Sequence, residues 1–415
     1  MVARPEPDIE IHIDIDEGTL TMAIPRSVSA IQAPSEQSLI TFNRPSVVGR
    51  ELHHVATTIT RHNLAGGGSF TDAAEGLLTE MHGAEASLLV TSCTSALEMA
   101  AMLLDLGPGD EVIMPSYTFV STALAVVRTG ATPVWVDIRP DTFNLDETLI
   151  EAAITPRTRS IWPVHYAGVG CEMNRIMDIA DAHDLLVVED AAQAIGATYD
   201  GRPLGGIGPL GCISFHETKN VSCGEGGALI VNAEGLVDRA ETLRDKGTNR
   251  KAFERNTVDK YSWVDLGSSY ALSEILSAFL FGQLEQMDQV QAERRRVWES
   301  YRQLLRPLEA RGLLQLPTIP ENCTTNHHIF PIVTADADER HRLITWLADH
   351  GIEAVFHYVP LHSSPMGTKL ADRPYDLPVT DRVSSSLLRL PMHAELSERD
   401  LDYITDTIAT FFRRT

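Results

Sequence analysis

Residues 212–231, CISFHETKNVSCGEGGALIV, place a lysine between two apolar runs. The run at 212–216 predicts a short buried strand ahead of Lys219, and GALIV at 227–231 predicts a second strand after it. Three glycines within 224–227 predict a turn between the two strands. A lysine is rarely fully buried unless it is paired. The position therefore predicts a chemical role for Lys219 rather than a structural one.

The sequence upstream alternates short apolar runs with amphipathic helical patterns. The apolar runs are ASLLV at 86–90, DEVIMP at 110–115, TPVWVDI at 132–138, RSIWPV at 159–164 and LLVVED at 185–190. Each run is continuous rather than alternating with polar residues, which is typical of strands covered by helices on both faces. This β-α repeat predicts an α/β fold with a mostly parallel sheet between helical layers.

The sequence downstream predicts a connector and a smaller domain. A helical pattern over about 271–306 has no break and predicts one helix between two domains. The remainder combines apolar runs with the helical patterns at 338–351 and 397–414, which predicts a small α+β domain. We therefore predict four regions: an N-terminal extension at 1–39, a large α/β domain at 40–270, a connecting helix at 271–314 and a small C-terminal domain at 315–415.

The composition disfavours several classes of function. The chain has 415 residues and a formal net charge of −23, which argues against a basic surface for nucleic acid. No apolar run approaches the roughly 20 residues that cross a bilayer, and the N-terminus lacks the pattern of a signal peptide. The five cysteines form no C-x-x-C pair, which disfavours a zinc site or a disulfide framework. We expect a cytoplasmic protein with no metal site, bound to neither nucleic acid nor membrane.

Polar residues at the strand ends are the candidate site residues, because ligands of parallel α/β sheets bind beyond the carboxyl ends of the strands. A predicted helix start nearby offers free N–H groups and a dipole that suit an anion. The candidates are Thr94 and Ser95 at that helix start, then Phe119, His165, Glu189, Asp190, Gln193, Ser214 and Lys219.

One cofactor, pyridoxal phosphate, uses this set of groups. It needs a lysine for a Schiff base and a carboxylate facing its pyridine nitrogen, so that the ring can accept electrons. It also needs hydroxyls at a helix start for its phosphate and a flat side chain against its ring. The sequence therefore predicts pyridoxal phosphate as the cofactor.

Each residue taken alone has a commoner structural role. Asp190, Thr94 or Ser95 could simply cap a helix. Phe119 alone would belong to the core, and His165 alone would be a structural histidine. The lysine between a strand and a glycine-rich loop is the hardest to explain in this way. The combination, in this order, is more specific than any of its members.

The chain resembles the DegT/DnrJ/EryC1/StrS family of sugar aminotransferases over residues 40–412. The similarity lies in the motifs PSYTFVSTA, DETLIEAAIT, PVHYAGV, VVEDAAQ, SFHETKN, GEGGALI, KGTNR, DLGSSY and FHYVPLH. Within the family, the chain is similar to the transaminases that form dTDP-4-amino-4,6-dideoxygalactose. The resemblance implies the fold type I architecture of transferases that depend on pyridoxal phosphate.

The resemblance also implies roles around the cofactor. Lys219 is expected to form the Schiff base, and Asp190 is expected to pair with the ring nitrogen. Gln193 is expected near the phenolic oxygen and Phe119 against the ring face. The phosphate is expected to be held by three hydroxyl residues, Thr94, Ser95 and Ser214.

Further roles implied by the resemblance concern the partner subunit and the sugar. A neighbouring subunit contributes to the phosphate pocket in this family, and Asn249 in KGTNR is the matching residue. A homodimer with shared active sites is therefore expected. Tyr358 and His362 are expected near the sugar, and His216 is expected only to position other groups. Further donors to the anionic substrate are expected among Arg244, Lys246, Arg250 and His357.

The implied reaction moves the amino group of L-glutamate to C4 of a dTDP-4-keto-6-deoxyhexose, giving the 4-amino sugar and 2-oxoglutarate. A few relatives replace the lysine by histidine and eliminate water, so Lys219 favours transamination. A 4-keto pentose, a ketone at C3, or a non-catalytic regulator that binds pyridoxal phosphate are the alternatives. A nicotinamide dehydrogenase is disfavoured, because SCTSAL rather than G-x-G-x-x-G follows the first strand.

Overall fold

The computed structural model of the chain describes residues 11–14, 19–22, 39–47, 49–371 and 373–414. Its contacts divide the chain into two compact units, residues 1–39 and residues 40–415. In the first unit, β1 (Ile11–Asp14) and β2 (Thr19–Met22) form an antiparallel hairpin. The other residues of the predicted N-terminal extension, up to residue 38, lie outside the described residues. None of the helices in the described ranges is long and apolar enough to cross a membrane.

The second unit is an α/β structure. Its described strands are β3 (Ala86–Val90), β4 (Glu111–Pro115), β5 (Thr132–Val136), β6 (Thr158–Ile161), β7 (Leu186–Asp190), β8 (Thr198–Tyr199), β9 (Arg202–Pro203), β10 (Leu210–Ser214), β11 (Gly227–Val231), β12 (Cys323–Thr324), β13 (Phe330–Val333), β14 (Val355–Phe356) and β15 (Leu387–Leu390). Its described helices are α1 (Glu51–Thr60), α2 (Ser69–His82), α3 (Cys93–Leu103), α4 (Val120–Arg128), α5 (Ile150–Ala153), α6 (Met173–Ala182), α7 (Val237–Arg244), α8 (Arg250–Glu254), α9 (Glu274–Leu284), α10 (Met287–Glu309), α11 (Ala337–Asp349), α12 (Pro365–Leu370), α13 (Pro378–Ser386) and α14 (Glu398–Arg414).

A seven-stranded sheet forms the centre of this unit, in the order β3-β11-β10-β7-β6-β4-β5. The strands from β10 to β5 in this order are parallel, whereas β11 is antiparallel to both of its neighbours. Successive residues point to opposite faces: Val187 joins the core that contains Ile113, and Val188 joins the core that contains Val112. Helices cover both faces, which explains why the strands are apolar at successive positions. The predicted fold type I architecture is confirmed.

The C-terminal part forms a three-stranded antiparallel sheet in the order β13-β15-β14. Residues of α10, α11 and α14 pack against it, with Tyr301, Leu347 and Ile408 among the fully buried side chains. A third small sheet, β12-β8-β9, joins the chain near residue 323 to the segment after β7. The three-stranded sheet with α11 and α14 forms the smaller C-terminal α+β part that the sequence predicts.

The stretch predicted as one connecting helix is two helices. α9 ends at Leu284 and α10 begins at Met287, because Gln286 has φ −117° and ψ 16°, outside the helical region. α9 packs against α1 and α2, whereas α10 packs against α14 beside the C-terminal sheet. Because of this break, the two consecutive helices pack into two different cores. The prediction of an unbroken helix was therefore wrong. The proposed domain limits within residues 40–415 stay a prediction.

Candidate active site

A cavity of about 800 Å³ opens at the carboxyl ends of the parallel strands. One side, which we call the sheet wall, consists of residues that follow the strands of the seven-stranded sheet. Another side, the C-terminal wall, consists of Val355, Phe356, His357, Tyr358, Arg389 and Met392. Nine of the predicted site residues line the cavity, namely Thr94, Phe119, Asp190, Gln193, Ser214, His216, Lys219, His357 and Tyr358. The tertiary structure therefore brings most of the predicted set together.

The start of α3 reaches the cavity because β11 can pass close to it. A Cβ atom at Gly227 would lie 2.4 Å from the backbone carbon of Ser92, so only glycine fits there. Ser92 then caps α3 by accepting a hydrogen bond from the backbone N–H of Ser95 at 3.1 Å. The hydroxyl of Thr94 lies 2.7 Å from that of Ser121, and both residues line the cavity. These hydroxyls and the helix dipole suit an anion.

Asp190 ends β7 with its carboxylate held in place. Thr122 donates a hydrogen bond to Oδ2 at 2.7 Å, and the backbone N–H of Ala192 donates to Oδ1 at 3.1 Å. Burial raises the pKa of Asp190, although both hydrogen bonds and the charge of Lys219 oppose that change. A buried carboxylate of this kind is stabilised by a cation placed against it, such as a protonated ring nitrogen.

Lys219 lies in the turn after β10, where its backbone N–H donates to the carbonyl of His216 at 2.8 Å. Within the described ranges, its ammonium group has no hydrogen-bond or ion-pair partner. Burial lowers the pKa of Lys219; Asp190 raises that pKa in part, and the charge of Arg389 lowers it further. The neutral amine is the form that attacks a carbonyl and accepts a proton.

Gln193 connects the two walls. Its Oε1 accepts a hydrogen bond from the backbone N–H of Ala167 at 2.7 Å, and its Nε2 donates to the hydroxyl of Tyr358 at 2.6 Å. The Tyr358 ring stacks on His357 with a centroid distance of 3.8 Å. Phe119 begins α4 and leaves 58% of its surface exposed, with its ring 6.4 Å from that of Tyr358. A flat face is therefore available on the sheet wall.

His165 and Glu189 form a structural pair. The backbone N–H of Cys171 donates to His165 Nδ1 at 3.2 Å, so Nε2 carries the proton and donates to Glu189 Oε2 at 2.9 Å. Glu189 also accepts hydrogen bonds from three backbone N–H groups at 205, 207 and 208. Both side chains are completely buried outside the cavity lining, so His165 holds the backbone at the strand ends.

Two predicted residues lie behind the lining. The hydroxyl of Ser95 lies 3.0 Å from that of Ser92, within the first turn of α3. The ring of His362 lies 2.7 Å from the hydroxyl of Ser116 and 3.5 Å from the carboxylate of Asp381. These contacts position the two residues, and their roles toward phosphate and sugar stay predictions.

The KGTNR segment also lies outside the lining. Asn249 accepts a hydrogen bond from the backbone N–H of Ser262 at 2.7 Å, and its role toward a partner subunit stays a prediction. Arg244 forms an ion pair with Glu75 and its side chain is only 6% exposed. The prediction that Arg244 contacts a substrate was wrong, because that guanidinium already neutralises a carboxylate in the interior.

Several residues at the site were missed from the sequence. Thr122 could have been found from the quoted motif PSYTFVSTA. It follows Thr118 by one helical turn there, which brings the two hydroxyls together. Phe42, His328 and Arg389 line the cavity as well. They occur far from Lys219 in the chain and in no motif at a strand end, so no local pattern indicates them.

These groups fit pyridoxal phosphate. The lysine has no competing partner, and the buried carboxylate suits a protonated ring nitrogen. Thr94 lies at a helix start that suits a phosphate, and Ser214 at the end of β10 lines the same cavity. The fold and the site together therefore define a fold type I transferase that depends on pyridoxal phosphate.

Comparison with known proteins agrees with this class. The sequence model of the DegT/DnrJ/EryC1/StrS aminotransferase family matches residues 46–409, and the chain belongs to this family. It is 35% identical over 377 residues to GDP-perosamine synthase of Caulobacter vibrioides, which covers 89% of this chain and 97% of the relative. The predicted family is confirmed.

Two solved structures are similar to this one. Spr1654 from Streptococcus pneumoniae, assigned as a sugar aminotransferase and solved in its PLP form, has 27% identity and a TM-score of 0.83, covering 91% of this chain and 99% of that one. DesI, solved in the presence of its TDP-sugar product, has 27% identity and a TM-score of 0.80, covering 90% and 93%. The chain is therefore a sugar aminotransferase with pyridoxal phosphate as its cofactor.

Proposed function

We propose that this enzyme transfers the amino group of L-glutamate to C4 of a nucleoside-diphosphate-4-keto-6-deoxyhexose, with dTDP as the nucleotide. The main support is the unpartnered Lys219, with its lowered pKa, in a cavity of about 800 Å³. That volume accommodates a cofactor together with a sugar substrate. The TDP-sugar product of DesI supports the choice of nucleotide.

A GDP-linked sugar is the second candidate. GDP-perosamine synthase is 35% identical to this chain, and perosamine is itself a 4-amino-4,6-dideoxyhexose. Both candidates therefore share the position of amination and differ in the nucleotide. The sugar ring and C4 belong to the proposal with either nucleotide.

The residues of the sheet wall divide the chemistry among them. When bound, pyridoxal phosphate supplies an electron sink for the carbon that loses its proton. Lys219 holds and moves the proton, because burial lowers its pKa and so favours the neutral amine. Asp190, fixed by Thr122 and Ala192, would hold a protonated ring nitrogen by its negative charge. The Nε2 of Gln193 donates a hydrogen bond to the hydroxyl of Tyr358 on the C-terminal wall.

The proposal includes a cytoplasmic homodimer with shared active sites. Asn249 lies next to a group of exposed apolar side chains, of which Trp263 is 77% exposed. The other members of this group are Phe253, Tyr261, Val264 and Leu266. An apolar patch of this kind indicates a protein interface. We expect Trp263→Asp to yield an inactive species of monomer mass, 45.6 kDa, in sedimentation, whereas Leu304→Asp leaves the assembly intact.

The substrate assignment can be tested with a panel of keto sugars. The enzyme is incubated with L-glutamate and, separately, dTDP-4-keto-6-deoxyglucose, GDP-4-keto-6-deoxymannose, a UDP-linked 4-keto pentose and a dTDP-linked 3-keto sugar. NMR of the products locates the new amine. We expect amination of the dTDP sugar at C4 and no turnover of the sugar without its nucleotide, since remote binding energy positions the ketone. Preference for the GDP sugar would establish the second candidate, and amination only at C3 or of the pentose would refute the proposal.

A further inference from the structure

The imidazole of His328 lines the cavity but has no part in the amino-transfer chemistry of the sheet wall. The residue lies two positions before β13 and is 5% exposed. Burial lowers the pKa of His328 well below its ordinary value, and the charge of Lys219 lowers it further. The ring is therefore neutral at neutral pH, with one nitrogen that donates a hydrogen bond and one that accepts. Which nitrogen is available to the cavity determines what the ring can bind.

Asn220, the residue after Lys219, determines which nitrogen of His328 carries the proton. The Nδ2 of Asn220 donates a hydrogen bond to the backbone carbonyl of Asn326 at 2.7 Å. Because a carbonyl can only accept, this end of the amide is its NH₂ group, and the other end is its oxygen. That oxygen lies 2.9 Å from Nδ1 of His328 and must accept from it. The ring proton is therefore on Nδ1.

A second amide holds Asn220 in this orientation. Gln291 of α10 donates through Nε2 to the backbone carbonyl of Ile195 at 3.1 Å, so its Oε1 is the end that accepts from Asn220 Nδ2 at 3.2 Å. Backbone carbonyls thus fix the orientation of both amides. Asn220 is itself buried, and moving the ring proton to Nε2 of His328 would leave two acceptors facing each other in the interior.

The other ring nitrogen, Nε2 of His328, is a free acceptor. It has no hydrogen-bond partner within the described part of the chain, and the ring lines the cavity. A nearly buried acceptor without a donor indicates a ligand that brings an O–H or N–H group. A carboxylate or a diphosphate offers only acceptors, so the lone pair of Nε2 disfavours both. A keto sugar, in contrast, carries hydroxyl donors.

We propose that His328 recognises the keto sugar by accepting, at Nε2, a hydrogen bond from the hydroxyl next to the ketone, and that Asn220 is the positioning residue that keeps this nitrogen an acceptor. This inference rests on the proposed function and names a specificity-determining contact for its second substrate. The ketone carbon must reach Lys219, and the oxygen of the adjacent hydroxyl is two bonds from that carbon. Because Asn220 follows Lys219 directly and holds His328, the acceptor and the amine belong to one part of the cavity.

The first test compares the two half-reactions in enzyme loaded with pyridoxal phosphate. His328→Phe keeps a ring and loses the acceptor, so kcat/KM for the nucleotide sugar should fall about tenfold, as for one neutral hydrogen bond. L-Glutamate has no hydroxyl, so its conversion, followed by absorbance without any sugar, should change less than about threefold.

Removing the hydroxyl from the sugar tests the same contact from the side of the ligand. Wild type should prefer the sugar accepted in the keto-sugar panel to its analogue without the hydroxyl next to the ketone by about 30-fold, because the analogue leaves Nε2 unpaired. His328→Phe should treat the two sugars equally to within about threefold. The preference of wild type is measured without any variant, so this result does not depend on how a variant folds.

The role of Asn220 has a readout that does not depend on activity. In protein with ¹⁵N-labelled histidine, the signals of His328, identified by their loss in His328→Phe, should show a proton on Nδ1 and none on Nε2 at neutral pH. Asn220→Asp places a carboxylate against Nδ1, which favours the doubly protonated ring, so Nε2 should become a donor and the preference for the hydroxyl should be lost. Asn232→Asp is the control, since Asn232 also donates to two backbone carbonyls but lies outside the cavity lining. It should leave both the signals and the preference unchanged.

Three results would overturn the inference. Equal rates of wild type on the sugar and its deoxy analogue would show that no hydroxyl is bound. Equal slowing of both half-reactions in His328→Phe would assign the ring to the cofactor or to the amino donor. A proton on Nε2 in wild type would remove the acceptor itself. The keto-sugar panel uses wild type alone and makes no reference to His328, so a failure of the proposed function is seen separately from a failure of this inference.

Discussion

The sheet wall and the C-terminal wall of the cavity are built in different ways. On the sheet wall, functional residues stand at the ends of consecutive strands, and short hydrogen bonds such as that from Thr122 to Asp190 fix them. On the C-terminal wall, Tyr358 follows β14 and Arg389 lies in β15 of another sheet, and both contact aromatic rings. We therefore expect the first wall to carry the amino-transfer chemistry and the second to select substrates.

This difference has a physical cause. Parallel strands end at one edge of the sheet, so any residue placed there reaches the same site. The C-terminal wall lacks that constraint and can change its side chains without disturbing the cofactor residues. Gln193 is the exception, because its hydrogen bond to Tyr358 couples the two walls.

Removing Lys219 should have the largest effect on the sheet wall. We expect Lys219→Ala to reduce turnover at least about 1,000-fold, because it removes both the covalent anchor and the acid–base group. In wild type, borohydride reduction followed by peptide mass mapping should place the cofactor on Lys219. Lys369→Ala, at an exposed lysine of α12 outside the cavity lining, should behave as wild type. Labelling of a different lysine would refute the assignment.

A change at Asp190 should be smaller but still severe. Asp190→Asn keeps the size of the side chain and an oxygen for the backbone N–H of Ala192, so the cofactor should stay bound. The negative charge is lost, and turnover should fall about 100-fold, as for removal of one preorganised electrostatic partner. Cofactor absorbance and single-turnover rates for each half-reaction would measure this. Near wild-type rates would show that Asp190 only caps the segment that follows β7.

The coupling between the walls can be broken at Tyr358. Tyr358→Phe keeps the stack on His357 and removes the acceptor for Gln193, at a cost of about 1 kcal/mol, or roughly fivefold in rate. Because Gln193 is expected near the phenolic oxygen of the cofactor, we expect both half-reactions to slow by similar factors. Tyr403→Phe, which removes a hydrogen bond to His350 away from the cavity, is the control. Slowing confined to the nucleotide-sugar half would instead show direct contact between Tyr358 and the sugar.

His327, which precedes His328 of the cavity lining, should lower the stability of the fold in acid without changing activity at neutral pH. Burial, with the charges of Arg295 and Arg294, lowers the pKa of His327 to about 4. The unfolded chain binds a proton near its ordinary pKa of about 6.5, so His327 destabilises the fold as pH falls from about 6.5 toward 4, by up to about 3 kcal/mol. Stability is unaffected by this group above that range.

The variant His327→Asn tests this pH dependence. Asparagine tolerates the left-handed backbone at this position, where φ is 56°. Urea unfolding between pH 4 and pH 7 should show a shallower loss of stability in the variant, with equal turnover at pH 7.5. Parallel stability curves for the two proteins would assign the acid sensitivity to other groups.

Local patterns predicted the sheet wall well, because each residue there is tied to a strand end. Lys219, Asp190 and Gln193 were found in that way, and all three line the cavity. Local patterns failed for the connector, where the helical periodicity continued through Gln286 although the backbone leaves the helix there. They also failed for Arg244, whose buried partner Glu75 lies on another helix.

By itself, the sequence determined the α/β fold, the cofactor class and the residues of the sheet wall, since strand and helix periodicity are local and parallel strands end together. Only the tertiary structure decided which side chains face those residues across the cavity. Arg389 points inward because Leu388 and Leu390 are buried in the C-terminal core, and Phe42 approaches it from near the start of the second unit. Such contacts arise from packing between distant segments, which no local pattern encodes.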